Sequence, residues 1–259
     1  MPLRPPYNSR VGRFRGMTVG GLLALAACGA PSSEISHGSS RLTARVGTPT
    51  GSVSPGLIPL QLGVGRDGSL LVPASYNPAQ PMPLVLALHG AGGNANGPLS
   101  LLSSYAEQHG FLLLAVDSRD VTWDAIHAGA YGPDVAFIDL ALKFVFVRCA
   151  VDPARVVVEG FSDGASYALG LGLANGDLFK RVVAFSPGFI PPADSPAVGQ
   201  PEFFISHGTR DPILPIDLTS REIVVGLRNL GYAVSFVEFD GVHEVPAAIA
   251  LQAVLWLLR

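Results

Sequence analysis

Arg155-Val156-Val157-Val158-Glu159-Gly160-Phe161-Ser162-Asp163-Gly164 decides the reading of this chain. A short apolar run feeds a Gly-x-Ser-x-Gly turn, and a helix-forming stretch follows. Glycines on both sides of Ser162 suit a tight, strained turn that lifts the hydroxyl clear of the sheet edge. Glycine makes up 30 of the 259 residues, so the five-residue pattern carries weight only through its surroundings.

Working outward, apolar runs alternate with helical stretches. Pro83 to Leu88 and Phe111 to Val116 read as strands buried on both faces, and Arg181 to Phe185, Phe203 to Ser206 and Ala233 to Phe239 as further strands. Pro98 to His109, Pro133 to Arg148, Asp163 to Ala174, Asp217 to Leu230 and Val245 to Leu258 read as helices. Leu57 to Leu62 and Ser69 to Val72 flank Gly65-Arg66-Asp67-Gly68, the layout of an opening hairpin. This alternation predicts an α/β fold, a mostly parallel central sheet with helices on both faces. Ligands of such sheets sit at the carboxyl ends of the strands.

Three polar residues fall just past such ends, in the chain order Ser162, Asp211, His243. A serine hydroxyl is a weak nucleophile and needs a base. An imidazole accepts a proton at neutral pH, and a carboxylate can fix its tautomer. Asp217 competes with Asp211 for the third role, but its position reads better as a helix N-cap. The amide after the nucleophile, that of Asp163, is one candidate oxyanion donor. The amide of Ala91, in the loop His89-Gly90-Ala91-Gly92-Gly93, is the other. Gly90 and Trp123 are read as facing the substrate, Trp123 as an apolar surface for an acyl or aryl group or else as a packed core residue. The loops Ser118 to Gly132 and Ser186 to Gln200 are candidates to wall the pocket, and no long lid is evident.

These segments support a resemblance. LALHGAGGN, GFSDGASYALGLGL, ISHGTRDPILPI and FDGVHEVP resemble α/β-hydrolase serine esterases, nearest to bacterial phospholipase/carboxylesterase-like and polyester-depolymerase-like groups. The resemblance covers Pro83 to Leu258. It implies the α/β-hydrolase fold and a carboxylic ester hydrolase with Ser162, Asp211 and His243 as its triad. Small to medium esters are expected, cleaved through an acyl-enzyme, with polyester, thioester or lysophospholipid substrates as alternatives. Polyester depolymerases often carry disulfides, and the lone Cys149 departs from that subgroup.

Two other classes fit parts of the sequence. Gly90-Ala91-Gly92-Gly93-Asn94-Ala95, followed by Asp117 at the next strand end, fits a short dinucleotide-binding pattern but leaves Ser162, Asp211 and His243 unexplained. A non-catalytic binding protein on the same scaffold is the other. No metal is expected, because the six histidines are scattered and His243-Glu244 lacks a second His at position 247. His89 and His207 read as hydrogen-bonded structural residues, and no cofactor is implied.

The first 30 residues read as a separate object. Arg4, Arg10, Arg13 and Arg15 precede the apolar stretch Met17 to Ala27, a secretory layout too short to span a bilayer. Leu25-Ala26-Ala27-Cys28 resembles a lipoprotein cleavage site, which implies Cys28 lipidated, an exported product and membrane attachment through that lipid; an ordinary cleaved signal peptide with a secreted product, or a non-cleaved anchor, is the alternative. Residues 1–27 therefore read as a signal peptide, 28–55 as a flexible Ser/Gly/Thr/Pro tether and 56–259 as the hydrolase domain. Losing those four arginines takes Lys+Arg from 17 to 13 against 20 acids, a net charge of −7. An acidic domain disfavours nucleic acid as a partner.

Overall fold

The computed structural model describes residues 39–259; the expected signal peptide, Cys28 and the start of the tether lie outside them. Eight strands form one sheet in the order β1-β2-β4-β3-β5-β6-β7-β8. They are β1 (Gly56–Pro59), β2 (Gly68–Val72), β3 (Met82–Leu88), β4 (Leu112–Val116), β5 (Val151–Phe161), β6 (Arg181–Phe185), β7 (Glu202–Gly208) and β8 (Val234–Phe239). β1 and β2 form the antiparallel hairpin, and β2 runs antiparallel to β4. All pairings from β4 through β8 are parallel. The helices are α1 (Asn96–His109), α2 (Asp124–His127), α3 (Pro133–Arg148), α4 (Asp163–Ala174), α5 (Ser220–Asn229) and α6 (Ala247–Leu257).

The central strands are apolar on both faces because both are covered. Val156 and Val158 of β5 enter one core with residues of α3, α4 and α5. Val157 enters the other with residues of α1 and α6. Each fully buried Leu or Val contributes about 1.5–3 kcal/mol through removal from water. Crossover connections, helical except for the loop between β6 and β7, make β3 to β8 run the same way, so their carboxyl ends collect on one edge.

Two local expectations are corrected. Asp217 is not a helix N-cap: it lies in a 3-10 turn, Ile216–Leu218, and pairs with Arg221. α5 begins only at Ser220. The tether is also shorter than residue 55. Leu42 and Ala44 are each 2% exposed, and the backbone amides of Thr43 and Ala44 donate to Asp139. Arg41 and Arg45 both pair with Asp177. Alternating apolar and polar side chains let this extended segment bury one side against the domain.

Candidate active site

Ser162 sits between β5 and α4 with φ 57° and ψ −119°, a strained conformation for a residue with a side chain. The two glycines explain how the turn closes. A Cβ on Gly160 would lie 2.2 Å from the Gly164 carbonyl oxygen, and one on Gly164 would lie 2.4 Å from that of Leu88. The Ser162 amide donates to the Phe185 carbonyl at 2.9 Å, which pins the turn to β6.

Asp211 follows β7 and His243 follows β8. The structure brings both to Ser162, although His243 is 81 residues away along the chain. Ser162 Oγ lies 2.9 Å from His243 Nε2, and His243 Nδ1 lies 2.6 Å from Asp211 Oδ2. The carboxylate can only accept, so Nδ1 carries the proton and Nε2 is free to accept from the serine hydroxyl. Asp211 Oδ1 accepts the amides of Ile213 at 2.8 Å and Leu214 at 2.9 Å. Burial opposes ionisation of this carboxyl. Hydrogen bonds from Leu214, His243 and Ile213 outweigh it and hold the group below the usual carboxylate range.

His207 is a further partner. It is fully buried, its Nε2 lies 2.8 Å from the Leu214 carbonyl and 3.1 Å from Asp211 Oδ2, and its Nδ1 lies 2.6 Å from Ser220 Oγ. The carbonyl can only accept, so Nε2 carries the proton and Nδ1 accepts from the Ser220 hydroxyl. Burial lowers its pKa and keeps the ring neutral. The sequence marks His207 only as a strand-end residue beside a glycine; its contact with Asp211 comes from the turn at 209–214.

The loop after β3 approaches the same serine. A Cβ on Gly90 would lie 3.2 Å from Ser162 Cβ. Ala91, the next residue, is exposed at the rim. His89 Nε2 accepts the Ser118 amide at 2.9 Å, so its Nδ1 donates to the Gly90 carbonyl at 2.7 Å. Asp163 is the first residue of α4, so its amide has no acceptor within the helix. Its carboxylate accepts from Thr122 Oγ1 at 2.6 Å.

Trp123 does not face a substrate. It is fully buried, donates Nε1–H to the His89 carbonyl at 2.9 Å, and packs on the rings of His89 and Tyr167. Its large apolar surface is satisfied inside the core, where it supports the loop from behind. The loops at 118–132 and 186–200 contribute nothing to the cavity beside the turn. The second is held to α4, where Ser166 Oγ accepts the Gly188 amide, and to Ser40 through Asp194. Asp117, the acid of the dinucleotide pattern, is occupied by the amides of Ala95 and Asp67. Cys149 is a buried free thiol pushed up to about 12 by burial.

A parallel sheet with a serine turn after its fifth strand, a loop closing on that serine, and an imidazole and carboxylate after its last two strands define an α/β-hydrolase. Comparison with known proteins agrees. Residues 136–254 match the phospholipase/carboxylesterase family. Feruloyl esterase C of Emericella nidulans is 33% identical over 162 residues, 59% of this chain, which spans 57% of that protein's length. A probable feruloyl esterase C of Aspergillus flavus is 32% identical over 213 residues, 69% of this chain and 76% of the relative. The Bacillus cereus carboxylesterase superposes with a TM-score of 0.59 at 21% identity, over 76% of this chain and 95% of that one, a likeness of fold. The chain belongs to the α/β-hydrolase family of carboxylic ester hydrolases that these relatives represent.

Proposed function

We propose that this protein hydrolyses small to medium carboxylic esters through an acyl-enzyme on Ser162. The observation that carries the reading is the continuous chain of contacts from Ser162 Oγ through His243 to Asp211, 2.9 and 2.6 Å long. In this mechanism Ser162 Oγ attacks the ester carbonyl while His243 Nε2 takes its proton. Asp211 holds the ring in the tautomer that leaves Nε2 free and stabilises the imidazolium. The amides of Asp163 and Ala91 receive the oxyanion, each worth about 2.7–4 kcal/mol in such sites. His243 then protonates the leaving alkoxide, and a water activated by the same ring releases the acid.

The names of the relatives favour aryl-acrylate esters such as feruloyl esters within that range. A panel of p-nitrophenyl esters of rising acyl length, with methyl ferulate beside them, tests the reading. Turnover by the wild type that is abolished in Ser162→Ala supports it. Turnover that survives in Ser162→Ala contradicts it.

We also propose export and lipidation at Cys28, supported by the arginine-rich start and the Leu25-Ala26-Ala27-Cys28 pattern. Expressed in a bacterium, the full chain should partition with membranes and Cys28→Ser should not. Equal partitioning of the two would remove the lipid anchor. No helix among the described residues is long and apolar enough to cross a membrane.

A further inference from the structure

Strand β5 carries a group that ester chemistry at Ser162 leaves unused. Val157 faces the core formed with α1 and α6, and strand alternation puts Glu159 on that same face. Glu159 is only 2% exposed, and its Oε2 is buried without a hydrogen-bond partner. Burial alone pushes its carboxyl up to about 8, so it holds its proton at neutral pH. A protonated acid can donate a hydrogen bond as well as accept one.

Glu159 lines a cavity of about 310 Å³, within the range of small-molecule sites. Around it the walls are mostly apolar, Leu88, Pro98, Leu101, Phe161 and Val245, with His89 and Asn94 the other polar residues of the lining. The cavity lies next to the triad: Ser162, Asp211 and His243 do not line it, but their neighbours do. Gly90 and Ala91 form part of its lining, and Gly90 abuts Ser162. Phe161 directly precedes Ser162, and its ring centre lies 4.8 Å from that of His243. Val245 stands two residues after His243.

We propose that this cavity is a substrate subsite in which Glu159 hydrogen-bonds an uncharged hydroxyl carried on an apolar part of the ester. The inference rests on the esterase reading above and adds its specificity. The apolar walls disfavour a charged group, which would lose its hydration on entry. A plain hydrocarbon fits the walls but leaves the buried acid unpaired, and sites built to bond a hydroxyl discriminate against analogues that lack it.

Two matched pairs of esters test this. Methyl 4-hydroxycinnamate against methyl cinnamate places the hydroxyl on the acyl side. 4-Hydroxyphenethyl acetate against phenethyl acetate places it on the alcohol side. The wild type is expected to favour the hydroxylated member of at least one pair by about fivefold or more in kcat/KM. Glu159→Gln, which still donates and accepts, should keep the preference, and Glu159→Leu should bring it to about one. Leu101→Trp fills the cavity from α1 without altering the acid and should also erase the preference, which keeps the test open if Glu159→Leu fails to fold. No preference in either pair in the wild type, or one that survives Glu159→Leu, overturns the proposal. Wild-type turnover of p-nitrophenyl acetate separates the two levels. Without it the esterase reading fails; with it and no hydroxyl preference, only the subsite fails.

Discussion

Replacing Glu159 by Gln should stabilise the protein, and by more as the pH rises. The folded chain holds this carboxyl at about 8, raised by burial from an ordinary value of 4.5. Between those values the unfolded chain is ionised while the folded chain keeps its proton. Unfolding therefore releases a proton, and stability falls with rising pH. The slope from this one group is about 1.4 kcal/mol per pH unit. Below the unfolded value both states are protonated and the group costs nothing. Above the folded value both are ionised and the cost levels off at about 5 kcal/mol. Gln has nearly the same shape and does not titrate, so every other titrating group cancels in the comparison. The stability gap between Glu159→Gln and wild type should widen by about 3 kcal/mol between about pH 5 and about pH 7. For a domain of this size that is a relative shift in Tm of about 6–12 °C. Urea unfolding followed by tryptophan fluorescence at several pH values measures it, since Trp123 and Trp256 are both buried. A gap that stays constant across that window would refute the assignment of a neutral buried acid.

Other perturbations have equally definite outcomes. Gly164→Ala sets a methyl 2.4 Å from the Leu88 carbonyl oxygen and should cost about 1–3 kcal/mol in thermal unfolding, with loss of esterase activity. Asp211→Asn can donate to His243 Nδ1 and so favours the wrong tautomer; kcat on p-nitrophenyl acetate should fall by about 10⁴. A fall of less than about tenfold would place the orienting carboxylate elsewhere. Deleting the chain through Val46 removes buried Leu42 and Ala44 and both arginine partners of Asp177, and should lower Tm by several degrees, by about 1–3 kcal/mol. An unchanged Tm would restore that segment to the role of a free tether.

The parts of the fold legible in the sequence are those set by local pattern. Continuous apolar runs mark β3, β4 and β6 because strands covered on both faces leave no polar side. Glycines at 160 and 164 mark the turn because no Cβ fits there. What pattern does not reach is a contact made at long range. Trp123 packs between His89 and Tyr167, 34 and 44 positions away in the sequence, and nothing near it distinguishes a core ring from a substrate wall. His207 looks the same from sequence whether it faces solvent or Asp211. Two signals were present and quiet. Glu159 is an acid directly after Val156-Val157-Val158, in a part of the strand buried on both faces, and a charged side chain there stands out. Leu42 and Ala44 alternate with Arg41, Thr43 and Arg45, an extended pattern with one buried side, hidden in a Ser- and Gly-rich stretch whose composition suggests a linker. The start of α5 moved to Ser220 because a 3-10 turn intervenes after Pro215, which the preceding apolar residues do not announce.

Treatment of the purified protein with a fluorophosphonate, followed by mass spectrometry of its peptides, addresses the reactive serine directly. The adduct should fall on Ser162 alone, form quickly in the wild type, and slow by orders of magnitude in His243→Ala, whose ring lies 2.9 Å from the serine oxygen. An unmodified Ser162 peptide, or modification at another residue with the same rate in both proteins, would contradict an activated serine at this position.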